Sequence, residues 1–167
     1  MRCPMADSIR FRPIGVVRSE HTDPMRTPIQ PCYAPDSPGR LELFPEFAEG
    51  LTDIEGYSHI YILYHHHRAK DAGLMVRPCL QNTKRGVFST RVPGRPNPIG
   101  LSIVRLLHRE GNTLHVAGID VLDGAPLLDI KPYSRRIDCI TGTRDGWQDE
   151  IPDEKAMELG KNGGLHD

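Results

Sequence analysis

Three stretches of this sequence carry side chains whose types and spacing suit chemistry. In Arg91-Val-Pro-Gly-Arg95-Pro96-Asn97-Pro98-Ile99-Gly100, three prolines and two glycines stiffen a connection that bears two arginines. Guanidinium groups held with little freedom left to lose can fork onto a carboxylate or another anion. Asn97, fixed between two prolines, offers both a donor and an acceptor. The plainer reading is a rigid crossover with solvated arginines. The second stretch runs from Asp120 to Tyr133. Its Asp123-Gly124 pair signals a turn, while Asp129, Lys131 and Tyr133 alternate on one face of an extended segment. Such a row can orient a substrate and move a proton, or simply form an ion pair. The third is His65-His66-His67. On a strand His65 and His67 share a face, but zinc needs at least a third protein ligand and none stands out. We therefore assign no metal site and read the histidines as lining a cleft or an interface.

Other chemical signatures fail. The glycines of residues 94–100 lack the Lys-Ser/Thr of a phosphate-binding loop. No Gly-x-Gly-x-x-Gly follows a strand, and no Gly-x-Ser-x-Gly elbow is present. With 21 basic and 22 acidic residues the formal charge is −1, which excludes a polybasic nucleic-acid tail and leaves room only for a local basic patch. No run of about 18 apolar residues predicts a membrane span. Residues 1–8 lack the apolar stretch of a secretory signal and read as a flexible leader. Cys3, Cys32, Cys79 and Cys139 form no Cys-x-x-Cys pair, so we expect reduced thiols in a cytoplasmic protein.

The elements that must position these groups are short. Fifteen prolines and sixteen glycines argue for many turns. Strands are expected over 9–19 (interrupted at Pro13 and Gly15), Gly39–Phe44, Tyr57–His66, Gly86–Thr90, Ile99–Arg109, Thr113–Val121 and Leu127–Ile130, with Glu110-Gly111-Asn112 turning a hairpin. Five prolines in residues 20–39 exclude a helix or a central strand there. Pro45 to Gly50 suggests one helical turn, and Pro152 to Gly160 a helix of about two turns. The expected fold class is mainly β: a single-domain β-barrel of residues 9–133 with short helical turns, followed by a C-terminal extension, 134–167, with one short helix.

Pro13-Ile-Gly-Val-Val-Arg-Ser19, Pro28-Ile29-Gln30, Gly56-Tyr-Ser-His59, Gly86-Val-Phe-Ser-Thr-Arg91, Arg95-Pro-Asn-Pro-Ile-Gly100 and Asp123-Gly-Ala-Pro-Leu-Leu-Asp-Ile-Lys-Pro-Tyr133 together resemble the TsaA-like (TrmO) family, in the family's order, from about Ile9 to Tyr133. The resemblance implies a non-Rossmann methyltransferase built on a β-barrel and working as a homodimer. It implies S-adenosyl-L-methionine as methyl donor and tRNA as substrate, at the exocyclic nitrogen of threonylcarbamoyl-adenosine beside the anticodon. It also implies cofactor contacts at Pro28, Ile29, Gln30, His67, Arg68, Arg91, Leu101, Asp123, Gly124, Ala125 and Pro126. Within that frame Arg95 and Asn97 are assigned to positioning the carbamoyl group, and Asp129, Lys131 and Tyr133 to handling the proton. Larger family members continue into a further C-terminal domain suited to gripping tRNA, and the residues after Tyr133 are expected to be too few for one. Two alternatives stay open: a methyltransferase of a small metabolite or another nucleoside, and a module that binds S-adenosylmethionine without catalysis.

Overall fold

The computed structural model describes residues 8–161 and residue 163. The expected leader falls almost wholly outside these residues, as does Cys3.

Six strands close into an antiparallel barrel: β1 (Gly15–Ser19), β2 (Pro38–Leu43), β3 (His59–His65), β6 (Ile99–Glu110), β7 (Thr113–Ala117) and β8 (Pro126–Pro132), in the order β1-β2-β7-β6-β3-β8 and back to β1. The cause is alternation. In β3, Ile60, Ile62 and Tyr64 point inward, and in β6 so do Gly100, Ser102, Val104 and Leu106. Only a sheet curled on itself hides one face of every strand and leaves no edge unpaired. The core is aliphatic, with Val17, Leu41, Ile60, Ile62, Val104, Leu114, Ile119 and Leu127 essentially inaccessible. Each such side chain contributes about 1.5–3 kcal/mol of burial. Strand β3 is central in pairing, hydrogen-bonded to β6 along its whole length and to β8 with a bulge between Leu63 and Tyr64. The hairpin of β6 and β7 turns at Gly111, which takes a positive φ of 61°.

Five expectations are corrected. Residues 9–14 are not a strand, and pairing begins at Gly15. The segment 86–90 is strand only at Arg85–Gly86 (β5), which pairs with the unforeseen β4 (Met75–Val76) in a separate ribbon; Val87–Ser89 is a 3-10 turn. Strand β7 stops at Ala117, because Gly118 turns to φ 82° and its N–H, with that of Ile119, bonds the Ser37 carbonyl. A one-turn helix, α1 (Arg135–Asp138), follows β8. The proline-rich stretch 20–39 carries 3-10 turns at Pro24–Arg26 and Pro31–Tyr33, but, against expectation, its last two residues already open β2, which is paired on both sides. Helix α2 (Asp153–Gly160) forms where Pro152 and Gly160 bracket it.

Gly100 has a packing reason. A Cβ there would sit 2.3 Å from the Tyr64 ring, which is itself 4% exposed and cannot withdraw. We expect Gly100→Ala to destabilise the fold by about 1–3 kcal/mol, read as a fall in the thermal unfolding midpoint. A midpoint equal to wild type would mean that Tyr64 is not fixed as described.

Candidate functional site

At one end of the barrel the proline-rich loop, the end of β3, the 87–99 connection and the segment after β7 surround a cavity of about 1140 Å3. It exceeds the roughly 300–1,000 Å3 typical of small-molecule sites, so it has room for a cofactor and part of a second reactant.

Most of the expected site residues meet here. Pro28, Ile29, Gln30, His67, Arg68, Arg91, Arg95, Asn97, Leu101 and Ala125 all line the cavity. They are held from several directions. The Ile29 N–H donates to Gly160 at the end of α2 (2.9 Å), and Gln30 accepts from the Arg91 guanidinium. Arg95 donates to the Thr90 carbonyl (3.1 Å) and Arg68 to that of Thr22 (2.7 Å). His67 closes a tight turn onto the His65 carbonyl, and His66 donates its N–H to Pro98. Three guanidinium groups thus face one hollow.

The 123–126 turn only partly joins them. Ala125 is buried against the cavity, whereas Asp123, Gly124 and Pro126 do not line it. Asp123 Oδ1 accepts from the Ser19 N–H at 3.1 Å and its other oxygen lies 3.8 Å from Arg18, so this carboxylate is occupied in tying β1 to the turn. Asp129, Lys131 and Tyr133 lie elsewhere, on the outer wall of β8. Lys131 Nζ bridges Asp129 at 2.8 Å, and the Tyr133 ring packs near Tyr61 and His59 of β3. Within one chain this row and the Arg95–Asn97 pair do not share a pocket.

The cavity also contains groups to which the motif reading gave no chemical role. Asp120 is 7% exposed and accepts from Ser102 Oγ at 2.6 Å; the Tyr64 hydroxyl lies 3.2 Å from the same Ser102 oxygen. Burial pushes the Asp120 carboxyl up to about 7, despite the Ser102 hydrogen bond. It likewise raises the Tyr64 phenol, with the charge of Asp120 adding to the effect. His66 packs edge-on against Tyr64 at 5.0 Å, and burial, then His65 and Arg95, lower it to about 4. One signal in the sequence pointed this way: Ser102 puts a hydroxyl at an inward position of an otherwise apolar alternation. Among the described residues no group of three or more His, Cys, Asp or Glu side chains is arranged to hold a metal ion.

The C-terminal residues complete the wall. Asp145, Trp147 and Gln148 border the cavity. Trp147 Nε1 donates to the Ser89 carbonyl (2.8 Å) and its ring lies 5.7 Å from the Arg85 guanidinium, which also approaches Glu150 at 3.4 Å. Gly160 fits against the Tyr33 ring, where a Cβ would come within 2.4 Å.

A sequence profile of the tRNA-methyltransferase O N-terminal domain matches residues 16–139. This chain belongs to that family. It is 52% identical over 155 residues to a probable S-adenosyl-L-methionine-binding protein of Pyrococcus abyssi, covering 92% of this chain and 84% of the relative. It is 36% identical over 138 residues to the tRNA (adenine(37)-N6)-methyltransferase of Escherichia coli, covering 75% of this chain and 58% of that enzyme. The crystal structure of TrmO from Pseudomonas aeruginosa superposes with a TM-score of 0.70 at 39% identity, over 84% of this chain and 62% of that one. The chain therefore spans most of the archaeal relative and about three fifths of the bacterial ones.

The lowered His66 has a measurable consequence. Its folded value lies below the ordinary 6.5, so the unfolded chain binds the extra proton first on acidification. The stability tied to neutral His66 is whole above about pH 6.5 and drains away as pH falls toward 4. Asp120, raised instead, drives stability the opposite way over roughly pH 4 to 7. In an NMR titration His66 should stay neutral down to about pH 4; a midpoint near 6.5 would show that it is not buried as described.

Proposed function

We propose that this protein is an S-adenosyl-L-methionine-dependent methyltransferase that acts in the cytoplasm on tRNA, at the exocyclic nitrogen of threonylcarbamoyl-adenosine beside the anticodon. In this reading residues 9–133 are the catalytic barrel and 134–167 an extension, of which Asp145, Trp147 and Gln148 border the site. The observation that carries it is the convergence of Pro28–Gln30, His67, Arg68, Arg91, Leu101 and Ala125 on one cavity, in a chain whose relatives bear S-adenosylmethionine-binding and tRNA-methyltransferase names.

The residues present fit that donor. It carries an α-carboxylate, two positive centres and an adenine. Arg68 and Arg91 suit the carboxylate, since a guanidinium forks onto it. The proline-fixed backbone of 28–31 offers amide and carbonyl groups to the adenine edge with little entropy to lose. The donor supplies a methyl group on a sulfonium, which transfers by in-line displacement. The protein's contribution is therefore chiefly alignment and exclusion of water. Arg95, hydrogen-bonded at Thr90, and the exposed Asn97 line the cavity, and we assign them to holding the carbamoyl group of the acceptor.

The proton-handling row requires a second copy. The outer face of β6 presents Ile99, Leu101, Ile103 and Leu107, all more than a third exposed, and the first three also border the cavity. Strands β3 and β8 continue that wall to Asp129, Lys131 and Tyr133. We assign this wall to a homodimer interface, in which the row of one copy serves the cavity of the other. An apolar stripe on an otherwise polar barrel exterior supports it. A small-metabolite acceptor remains the competing substrate class, favoured by the near-neutral charge of the chain.

Calorimetry should give saturable binding of S-adenosylmethionine, weakened about 10- to 100-fold in Arg91→Ala, the effect of losing one charge-assisted contact. Ile103→Glu should shift the protein to monomer in light scattering and abolish methyl transfer to tRNA. Lys131→Ala should slow transfer while leaving cofactor binding intact. Mass spectrometry of tRNA nucleosides after incubation with the protein tests the substrate: absence of methylated threonylcarbamoyl-adenosine, with binding intact, overturns the tRNA assignment.

A further inference from the structure

The cavity contains one charge arrangement that holding a carboxylate does not require. Arg68 and Arg91 are exposed and Arg95 is half-buried, so the guanidinium groups stand toward the mouth. Asp120 sits at the floor, buried, hydrogen-bonded by Ser102, whose hydroxyl in turn lies beside that of the buried Tyr64. Among the described residues no cationic side chain reaches ion-pair distance of Asp120. Arg91 acts on it only through space. A carboxyl removed from water without a cation is costly to ionise, and burial accordingly raises it to about 7. The floor is therefore short of one positive charge that a ligand can bring.

The inference rests on the cavity being the S-adenosylmethionine site. In that ligand the ammonium and carboxylate share one carbon, so arginines at the mouth hold both at the mouth. The sulfonium lies three bonds further along the chain, on the floor side. A sulfonium has no N–H or O–H with which to hydrogen-bond, so a protein recognises its charge by a nearby oxygen or carboxylate. We infer that Asp120, oriented by Ser102, faces the sulfonium, making the cavity selective for the charged methyl donor over the neutral thioether left after transfer. Loss of the methyl group removes the positive charge and leaves Asp120 alone again, which weakens the hold on the spent product. Ser102 acts as a positioning residue in this arrangement.

The test compares Kd values by calorimetry for three ligands: S-adenosylmethionine, its demethylated thioether product, and an analogue with an ammonium-bearing carbon in place of the sulfonium. Wild type should bind the two ligands charged at that position about tenfold or more tightly than the thioether. Asp120→Asn keeps shape and hydrogen bonding but removes the charge, and should bring the three within about twofold. Circular dichroism checks that the variant folds; should it not, the wild-type ligand series alone decides. Equal affinities of wild type for all three ligands overturn the inference. So does a preference that persists in a folded Asp120→Asn. Arg91→Ala separates this failure from failure of the site. If that variant weakens all three ligands while Asp120→Asn changes nothing, the site stands and the role of Asp120 falls. If neither variant alters any ligand, the cavity is not where the donor binds.

Discussion

The hydrogen bond from Ser102 to Asp120, 2.6 Å and shielded from water, is the constraint on which the site depends. It joins β6 to the segment that leaves β7, the two walls between which the cavity opens. Its hydroxyl also lies beside Tyr64, which reaches over from β3. A partly satisfied polar chain in an apolar core is destabilising, whereas a satisfied one fixes a single arrangement. Gly100 enforces the geometry by sterics, since only a missing side chain leaves room for the Tyr64 ring beside β6. The barrel thus ends in a rigid polar floor rather than in more aliphatic packing. Loops of high proline content are laid over that floor.

How much of this was legible in the sequence depended on whether the cause was local. Alternation in residues 59–65 and 99–110 and the Gly111 turn are local, and the corresponding strands appear with ends shifted by a residue or two. The segment Val87-Phe88-Ser89 reads as strand by β-propensity, yet Phe88 is 77% exposed. The chain must turn there to carry Arg91 and Arg95 back over the barrel end, and that demand overrides propensity. The pairing of β4 with β5 joins two dipeptides too short to leave any periodic trace. For the site, the stiffened arginines were readable because proline and glycine act on their own backbone, whereas Pro28–Gln30 was marked only by the family resemblance. The histidines were readable as lining a cleft, but the perturbed chemistry of Asp120, Tyr64 and His66 was not, because it comes from burial by residues distant in sequence. The Asp129–Lys131–Tyr133 row was readable as a row, but its position on the outer wall follows from barrel closure alone.

The walls of the cavity differ in rigidity, and this bears on how a reactant enters. The floor belongs to the barrel core. The opposite wall, residues 145–148 and α2, is attached through Trp147 to Ser89, Glu150 to Arg85, and Gly160 to Ile29 and Tyr33. The Arg85–Glu150 pair is largely exposed on the glutamate side, and pairs of that kind contribute about 0–1 kcal/mol. Among the described residues the other attachments include the Ile29–Gly160 backbone hydrogen bond, the indole hydrogen bond to Ser89, the Gln81–Glu150 side-chain hydrogen bond, the Arg85–Trp147 cation–π contact and the Tyr33 ring contact. These are few contacts compared with the strand ladders behind them, so this wall opens at a lower free energy than the barrel does. The Ile29–Gly160 hydrogen bond links it to the very loop that would read an adenine. A ligand that orders Pro28–Gln30 therefore also favours the docked position of α2, and a docked α2 in turn raises the affinity of that loop by the same factor. The proposed charge recognition thus sits on the rigid floor, while the loop proposed to read the adenine sits against the more weakly attached wall.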